Sequence, residues 1–323
     1  ARARADLRRA MTGYESRLIA ALVGDAPGPT LIIVGGIHGN EPAGIAAARR
    51  TLGQLTRADV RGEVIALIGN LRAGAAGRRS IAHDLNRLWT AERMAVAQAA
   101  VAQAAAMPGG AGASDAGLAA EPELFELVEL STAIDRAIQR ARGPIFVLDC
   151  HTTSAAGYPF AVVGPTPEHR QFAEAFPLPG IVGLEEALVG TLTSYFGRRC
   201  VTLAVEGGQH ASTEAADNLA AAITIALEAT GIAVPPDAAA ARAYLEQVCG
   251  ELPGTIEVVS RHAIRPEHAF RMEPGFANIH RTPAGTLLAR DRGGEIRAPF
   301  DGLVLLPLYQ ADGTDGFFYG RPA

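Results

Sequence analysis

Four short, uninterrupted apolar runs, each bounded by Gly, Pro or a polar turn and separated by helical patterns, constrain this chain most. They are Thr30 to Gly35, Glu63 to Gly69, Pro144 to Asp149 and Cys200 to Val205. Runs this short and rich in Val and Ile read as strands buried on both faces. Helical patterns at Glu41 to Leu52, Glu123 to Arg140, Glu185 to Tyr195 and Glu214 to Ala229 alternate with them. That alternation predicts an α/β fold, a mostly parallel or mixed central sheet flanked by helices. After Val234, Pro235 and Pro236 and a helical stretch at Ala238 to Val248, the chain becomes strand-like, with turns at Pro274-Gly275, Gly293-Gly294 and Asp312-Gly313. A small all-β C-terminal domain is expected there. With 323 residues and roughly 100 to 200 per domain, the division expected is 1-233 for a catalytic α/β domain and 234-323 for a helix plus small β domain covering the site.

Composition excludes several classes. The net charge is -5, which argues against nucleic acid as a partner. All 29 basic residues are Arg, so Lys Schiff-base and P-loop chemistry are ruled out. Three Cys (Cys150, Cys200, Cys249) without CxxC spacing argue against a disulfide framework and for a reducing cytoplasm. No apolar run reaches the ~18 residues of a membrane span, so no membrane partner is expected. Ala1 to Ala10 lacks the apolar stretch of a signal peptide, and Pro108 to Gly117 reads as a flexible surface loop.

Chemistry-bearing residues gather where the strands end. In Gly35-Gly36-Ile37-His38-Gly39-Asn40-Glu41, His and Glu stand three apart beyond a strand, and His151 leaves a second strand in Asp149-Cys150-His151. Ligands in open α/β sheets collect at the carboxyl ends of strands. His38, Glu41 and His151 therefore read as three protein ligands with an open position, the pattern of catalytic zinc. Asp149 is placed to orient a ligating His. Solvated loop residues and a hydrogen-bonded core histidine are the bland alternatives. In the polar block Gly77 to Arg87, Asn86 and Arg87 suit a carboxylate, and Arg79 a polarised carbonyl, the alternative being surface arginines. Glu206, ending a fourth strand before Gly207-Gly208, reads as a general base, or else as an incidental residue ahead of a helix. His83, His210 and His262 read as ordinary polar residues, and Tyr158, Phe160 and Trp89 as wall or core residues.

The ordered set His38-Gly39-Asn40-Glu41, Asp84-Leu85-Asn86-Arg87, Asp149-Cys150-His151-Thr152-Thr153 and Glu206-Gly207-Gly208 resembles the succinylglutamate desuccinylase/aspartoacylase family, part of the zinc carboxypeptidase-like group. The likeness runs from about Leu31 through Gly208. It implies one Zn²⁺ per chain on His38, Glu41 and His151, Glu206 as general base, Arg79 at the oxyanion, and Asn86 and Arg87 on a substrate carboxylate. Asn70 matches a further polar position near substrate. The family's additional Arg has no secure counterpart, Arg198 and Arg199 falling near its place. Its substrate-contacting Tyr corresponds to Tyr309, to Tyr319 or to neither. The implied activity is hydrolysis of the amide bond in an N-acylated, carboxylate-bearing small molecule. A zinc carboxypeptidase is the rival, a non-catalytic binding protein the more distant one, and a homo-oligomer is compatible with either.

Overall fold

The computed structural model describes residues 16–106 and 121–323. The N-terminal stretch and the Pro108 to Gly117 loop read from the sequence lie outside the described residues. Strands β1 (Leu18–Val23), β2 (Thr30–Gly35), β3 (Glu63–Ile68), β4 (Ile145–Thr153), β5 (Phe160–Val163), β6 (Gly180–Val182) and β7 (Val201–Gln209) belong to the first two thirds of the chain. Strands β8 (Thr255–Ala263), β9 (Arg271–Met272), β10 (His280–Thr282), β11 (Leu287–Asp291), β12 (Gly294–Arg297), β13 (Gly302–Leu305) and β14 (Asp315–Pro322) follow. Eleven strands make one sheet in the order β1-β3-β2-β4-β7-β5-β6-β8-β14-β13-β10, and β12-β11-β9 form a small separate sheet. The core β3-β2-β4-β7 is parallel; β1 runs antiparallel to β3 and β5 to β7, β5-β6-β8 run parallel, and β8-β14-β13-β10 pair antiparallel. The expected α/β class holds. What the turn pattern did not reveal is that β8, β14, β13 and β10 continue the central sheet rather than closing on themselves.

Every residue of β2 and β3 is buried, which is why they carry no polar alternation: helices cover both faces. On one face the helix Pro122–Arg140 turns Leu124, Leu127, Leu130, Ile134 and Ala137 inward at three- and four-residue spacing. Each buried Leu or Ile contributes about 1.5–3 kcal/mol. On the other face the Ala-rich helix Thr213–Ala229 is buried against Ala43–Leu52. Small side chains let the two helices and the sheet approach closely.

The single helix read over Glu185 to Tyr195 is two short ones, Leu184–Ala187 and Leu192–Phe196. Gly190 separates them at φ +81, and a Cβ there would lie 2.4 Å from the carbonyl oxygen of Arg87. Only glycine permits both that backbone conformation and that approach. The break seats the Leu188–Thr191 link against the Arg87 backbone.

Candidate active site

β2 ends at Gly35, opposite Cys150 of β4. β4 continues three residues further, so His151 stands beyond its neighbour's end beside the turn that carries His38 and Glu41. That turn is possible because Gly39 crosses the helix Leu71–Ala75 so closely that a Cβ would lie 2.1 Å from the Ala73 backbone. On the other side of β4, His151 pairs in register with Glu206 of β7. Three strand ends thus deliver both histidines and both glutamates to one cleft.

Glu41 lies between the imidazoles. Its Oε1 is 2.8 Å from His38 Nδ1 and its Oε2 3.1 Å from His151 Nδ1. Each ring turns its other nitrogen to a second carboxylate: His38 Nε2 is 3.1 Å from Asp84, and His151 Nε2 is 2.9 Å from Asp149. This is the arrangement in which an outer carboxylate holds a metal-binding imidazole. Donor atoms of His38, Glu41 and His151 all lie within 4.8 Å of one another and can hold a metal ion. Two imidazoles and a carboxylate are a donor set that fits zinc. Burial pushes the Glu41 carboxyl up, but the positive potential of His38 and hydrogen bonds from both imidazoles outweigh it and hold it well below its ordinary value. His151 is driven the other way: burial opposes its charge, yet Asp149 and Glu41 raise its pKa well above the ordinary imidazole value.

Glu206 has no such support. Burial pushes its pKa up to about 8; Glu41 and Asp149 add to the rise, and His151 and Arg79 oppose it. Its Oε2 is buried without a hydrogen-bond partner, as are Asp149 Oδ1 and Arg87 Nε, all from residues lining the cleft. Unmet polar atoms facing one space mark where a ligand is to be held.

Arg79 donates to Asp84 Oδ2 at 2.8 Å and stands 3.6 Å from Glu41. Asp84 thereby ties Arg79, His38 and, through the Asn86 amide at 2.9 Å, the turn Leu85–Arg87 into one knot. Asn86 Oδ1 accepts from the Leu192 amide, and its Nδ2 is 3.5 Å from His151. Arg87 donates to the Asn86 carbonyl and to Asp315 of β14.

The loop bearing these residues is pinned by Glu123, which the sequence reading passed over as an ordinary helical residue. Its carboxylate, fully buried, accepts from the backbone amides of Ile81, Ala82 and His83. Asn70 is placed here too. It caps the helix Leu71–Ala75 by accepting from Ala73, and its Nδ2 donates to Glu123. It lies behind the loop and outside the cleft lining. Glu123→Ala removes the charged acceptor shared by the Ile81, Ala82 and His83 amides. We expect a loss of roughly 3 kcal/mol or more, read by denaturant titration. An unchanged midpoint would show that the loop is held from elsewhere.

His210 does line the cleft, bonded to Thr152 and Gln310; only packing of β7 against the C-terminal loop reveals it. Arg198 and Arg199 line a separate surface depression, and Arg199 is paired with Asp135. Tyr309 and Tyr319 bond to backbone groups of the C-terminal segment and do not line the cleft. Phe160 and Trp89 are core residues. Among the described residues no helix is long and apolar enough to cross a membrane.

The fold has known counterparts. The succinylglutamate desuccinylase of Chromobacterium violaceum superposes with a TM-score of 0.63 at 16% identity over 98% of this chain and 97% of that one. The succinylglutamatedesuccinylase/aspartoacylase of Rhodobacter sphaeroides gives 0.64 at 20% identity over 94% and 87%. Murine aminoacylase 3 gives 0.57 at 16% over 92% and 96%. At these identities the likeness speaks for the fold alone. No curated protein sequence matches the chain. Residues 27–106, which contain His38, Glu41, Arg79, Asn86 and Arg87, match the succinylglutamate desuccinylase/aspartoacylase catalytic domain. The chain thus carries a segment similar to the catalytic domain of the succinylglutamate desuccinylase/aspartoacylase family.

Proposed function

We propose that this chain is a zinc-dependent hydrolase that cleaves the amide bond of an N-acylated, carboxylate-bearing small molecule. The observation that carries the reading is Glu206 beside the His38–Glu41–His151 group, in one cleft with Arg79 and Arg87. Zinc held by His38, Glu41 and His151 would supply Lewis acidity to the scissile carbonyl and to water. Glu206 takes the proton of the attacking water and returns it to the leaving nitrogen; a carboxyl desolvated to a high proton affinity suits both transfers. Arg79, fixed by Asp84, faces the developing oxyanion. Asn86 and Arg87 hold the substrate carboxylate, and Asn70 supports them from behind the loop.

A deacylase is favoured over a carboxypeptidase by the size of the cleft. Its free volume is about 130 Å³, comparable with the ~150 Å³ cavity that accepts a benzene. Residues Leu306 to Asp315 contribute one wall. We accordingly read 1-233 as the catalytic part and 234-323 as its cover. Unpaired, buried cysteines suit a reducing cytoplasm.

The test is elemental analysis together with hydrolysis of N-acyl amino acids and short peptides, with and without a chelator. One zinc per chain and chelator-sensitive release from N-acyl substrates is the expected result. Release from peptides alone would establish the carboxypeptidase, and a protein inert after zinc addition would be neither enzyme.

A further inference from the structure

Charge in the cleft is distributed unevenly. Among the described lining residues the arginines are Arg79 and Arg87. Arg79 is committed to Asp84 and Glu41. Arg87 spends one terminal nitrogen on Asp315 and the other on the Asn86 carbonyl, leaving only its Nε unpartnered. Asp315 cannot simply turn away, because Arg261, outside the lining, donates to its other oxygen at 2.5 Å. One substrate carboxylate can therefore be met at Arg87, and a second has no arginine left to meet it.

The remaining wall is hostile to a second anion. Glu185 and Asp315 line the same space, Asp315 with its oxygens already held by Arg87 and Arg261. Glu185 is 8% exposed, and burial raises its pKa. Between these groups lie Val162, Leu184, Leu188, Leu306, Leu308 and Phe318. Leu184 and Phe318 belong to a close-packed cluster with Phe160 and Ile181, and Val162, Leu188 and Leu306 pack against it. Such a wall does not open readily to admit water around a charge.

We propose that the cleft selects a substrate with a single carboxylate and an uncharged, apolar acyl group, with Asp315 and Glu185 as the residues that discriminate against a second carboxylate. The proposal rests on the deacylase reading and narrows it. An apolar chain gains by removing the half-buried Leu188, Leu306 and Leu308 surface from water. A carboxylate at the same place is desolvated with no guanidinium left to pair it.

The test compares N-pentanoyl-L-alanine with N-succinyl-L-alanine, acyl chains of similar length that differ in the terminal charge. We expect kcat/KM of the zinc-loaded protein to favour the pentanoyl compound by about a hundredfold. Calorimetric binding to the Glu206→Gln protein reads the same preference without turnover. In Asp315→Asn, and separately in Glu185→Gln, the gap should shrink by about tenfold. Equal or better use of the succinyl compound, or a gap unchanged in both variants, overturns the proposal. Preferential binding of the pentanoyl compound with hydrolysis of neither sinks the deacylase reading and leaves the selectivity standing. Hydrolysis without preference does the reverse, and binding of neither overturns both.

Discussion

Glu206→Gln is expected to keep its zinc and lose roughly 10²–10⁴-fold or more in kcat. Gln preserves the shape of the side chain on β7 but can neither take a proton from water nor deliver one to the leaving nitrogen. The same substitution carries a stability signature. With its pKa raised from 4.5 to about 8 in the folded, metal-free chain, Glu206 is protonated when native and ionised when unfolded across that interval. The unfolded chain then binds fewer protons, so Glu206 erodes stability as pH rises from 4.5 to 8. The loss reaches about 5 kcal/mol at most once pH exceeds both values. Chelator-treated Glu206→Gln should therefore gain in Tm over the parent as pH climbs from 5 to 8.5. A constant difference would show that this carboxyl is not desolvated, and a fully active variant would remove it from the mechanism.

His151→Ala is expected to abolish both zinc retention and turnover, because it removes one of the three proposed ligands. It also strands Asp149, whose second oxygen already lacks a partner. An uncompensated buried carboxylate of this kind costs about 3–5 kcal/mol. Asp149→Asn should be milder: zinc affinity falls ~10–100-fold while the ligands remain. Elemental analysis after dialysis and thermal unfolding read the two effects separately. Zinc retained by His151→Ala at full stoichiometry would move the metal to other ligands.

The reading of the strands from the sequence succeeded for a local reason. Continuous runs such as Thr-Leu-Ile-Ile-Val-Gly carry no alternation because both faces are covered, and glycine at the end of the first two runs marks where the backbone leaves the sheet. His38, His151 and Glu206 could be picked out because parallel strands bring their carboxyl ends to one edge. The helix over Glu185 to Tyr195 was misjudged because apolar spacing continues through Gly190, whose φ of +81 is imposed by contact with Arg87.

Glu123, His210 and Asp315 were not legible as parts of the site. Each works through partners far away in the sequence: Glu123 reaches across 40 to 42 positions to the Arg79 loop, and Asp315 across 228 to Arg87. Nothing within a window of neighbouring residues distinguishes Glu123 from a solvated helical glutamate. Asn70 shows the converse. Its position beyond a strand was visible, but whether its amide faces substrate or caps a helix depends on where Ala73 and Glu123 come to rest.

By itself, the sequence determined the alternation of buried strands and helices, the placement of the candidate metal-binding residues at strand ends, and the resemblance to a family. All three follow from side-chain period, turn chemistry and short motifs, which act over a few residues. Only the tertiary structure decided that the C-terminal strands extend the central sheet, that Asp84 and Asp149 hold the outer faces of the two imidazoles, and that Asp315 takes part of the Arg87 clamp. Those outcomes depend on which buried charges find partners, and a buried charge is satisfied by proximity in space rather than along the chain.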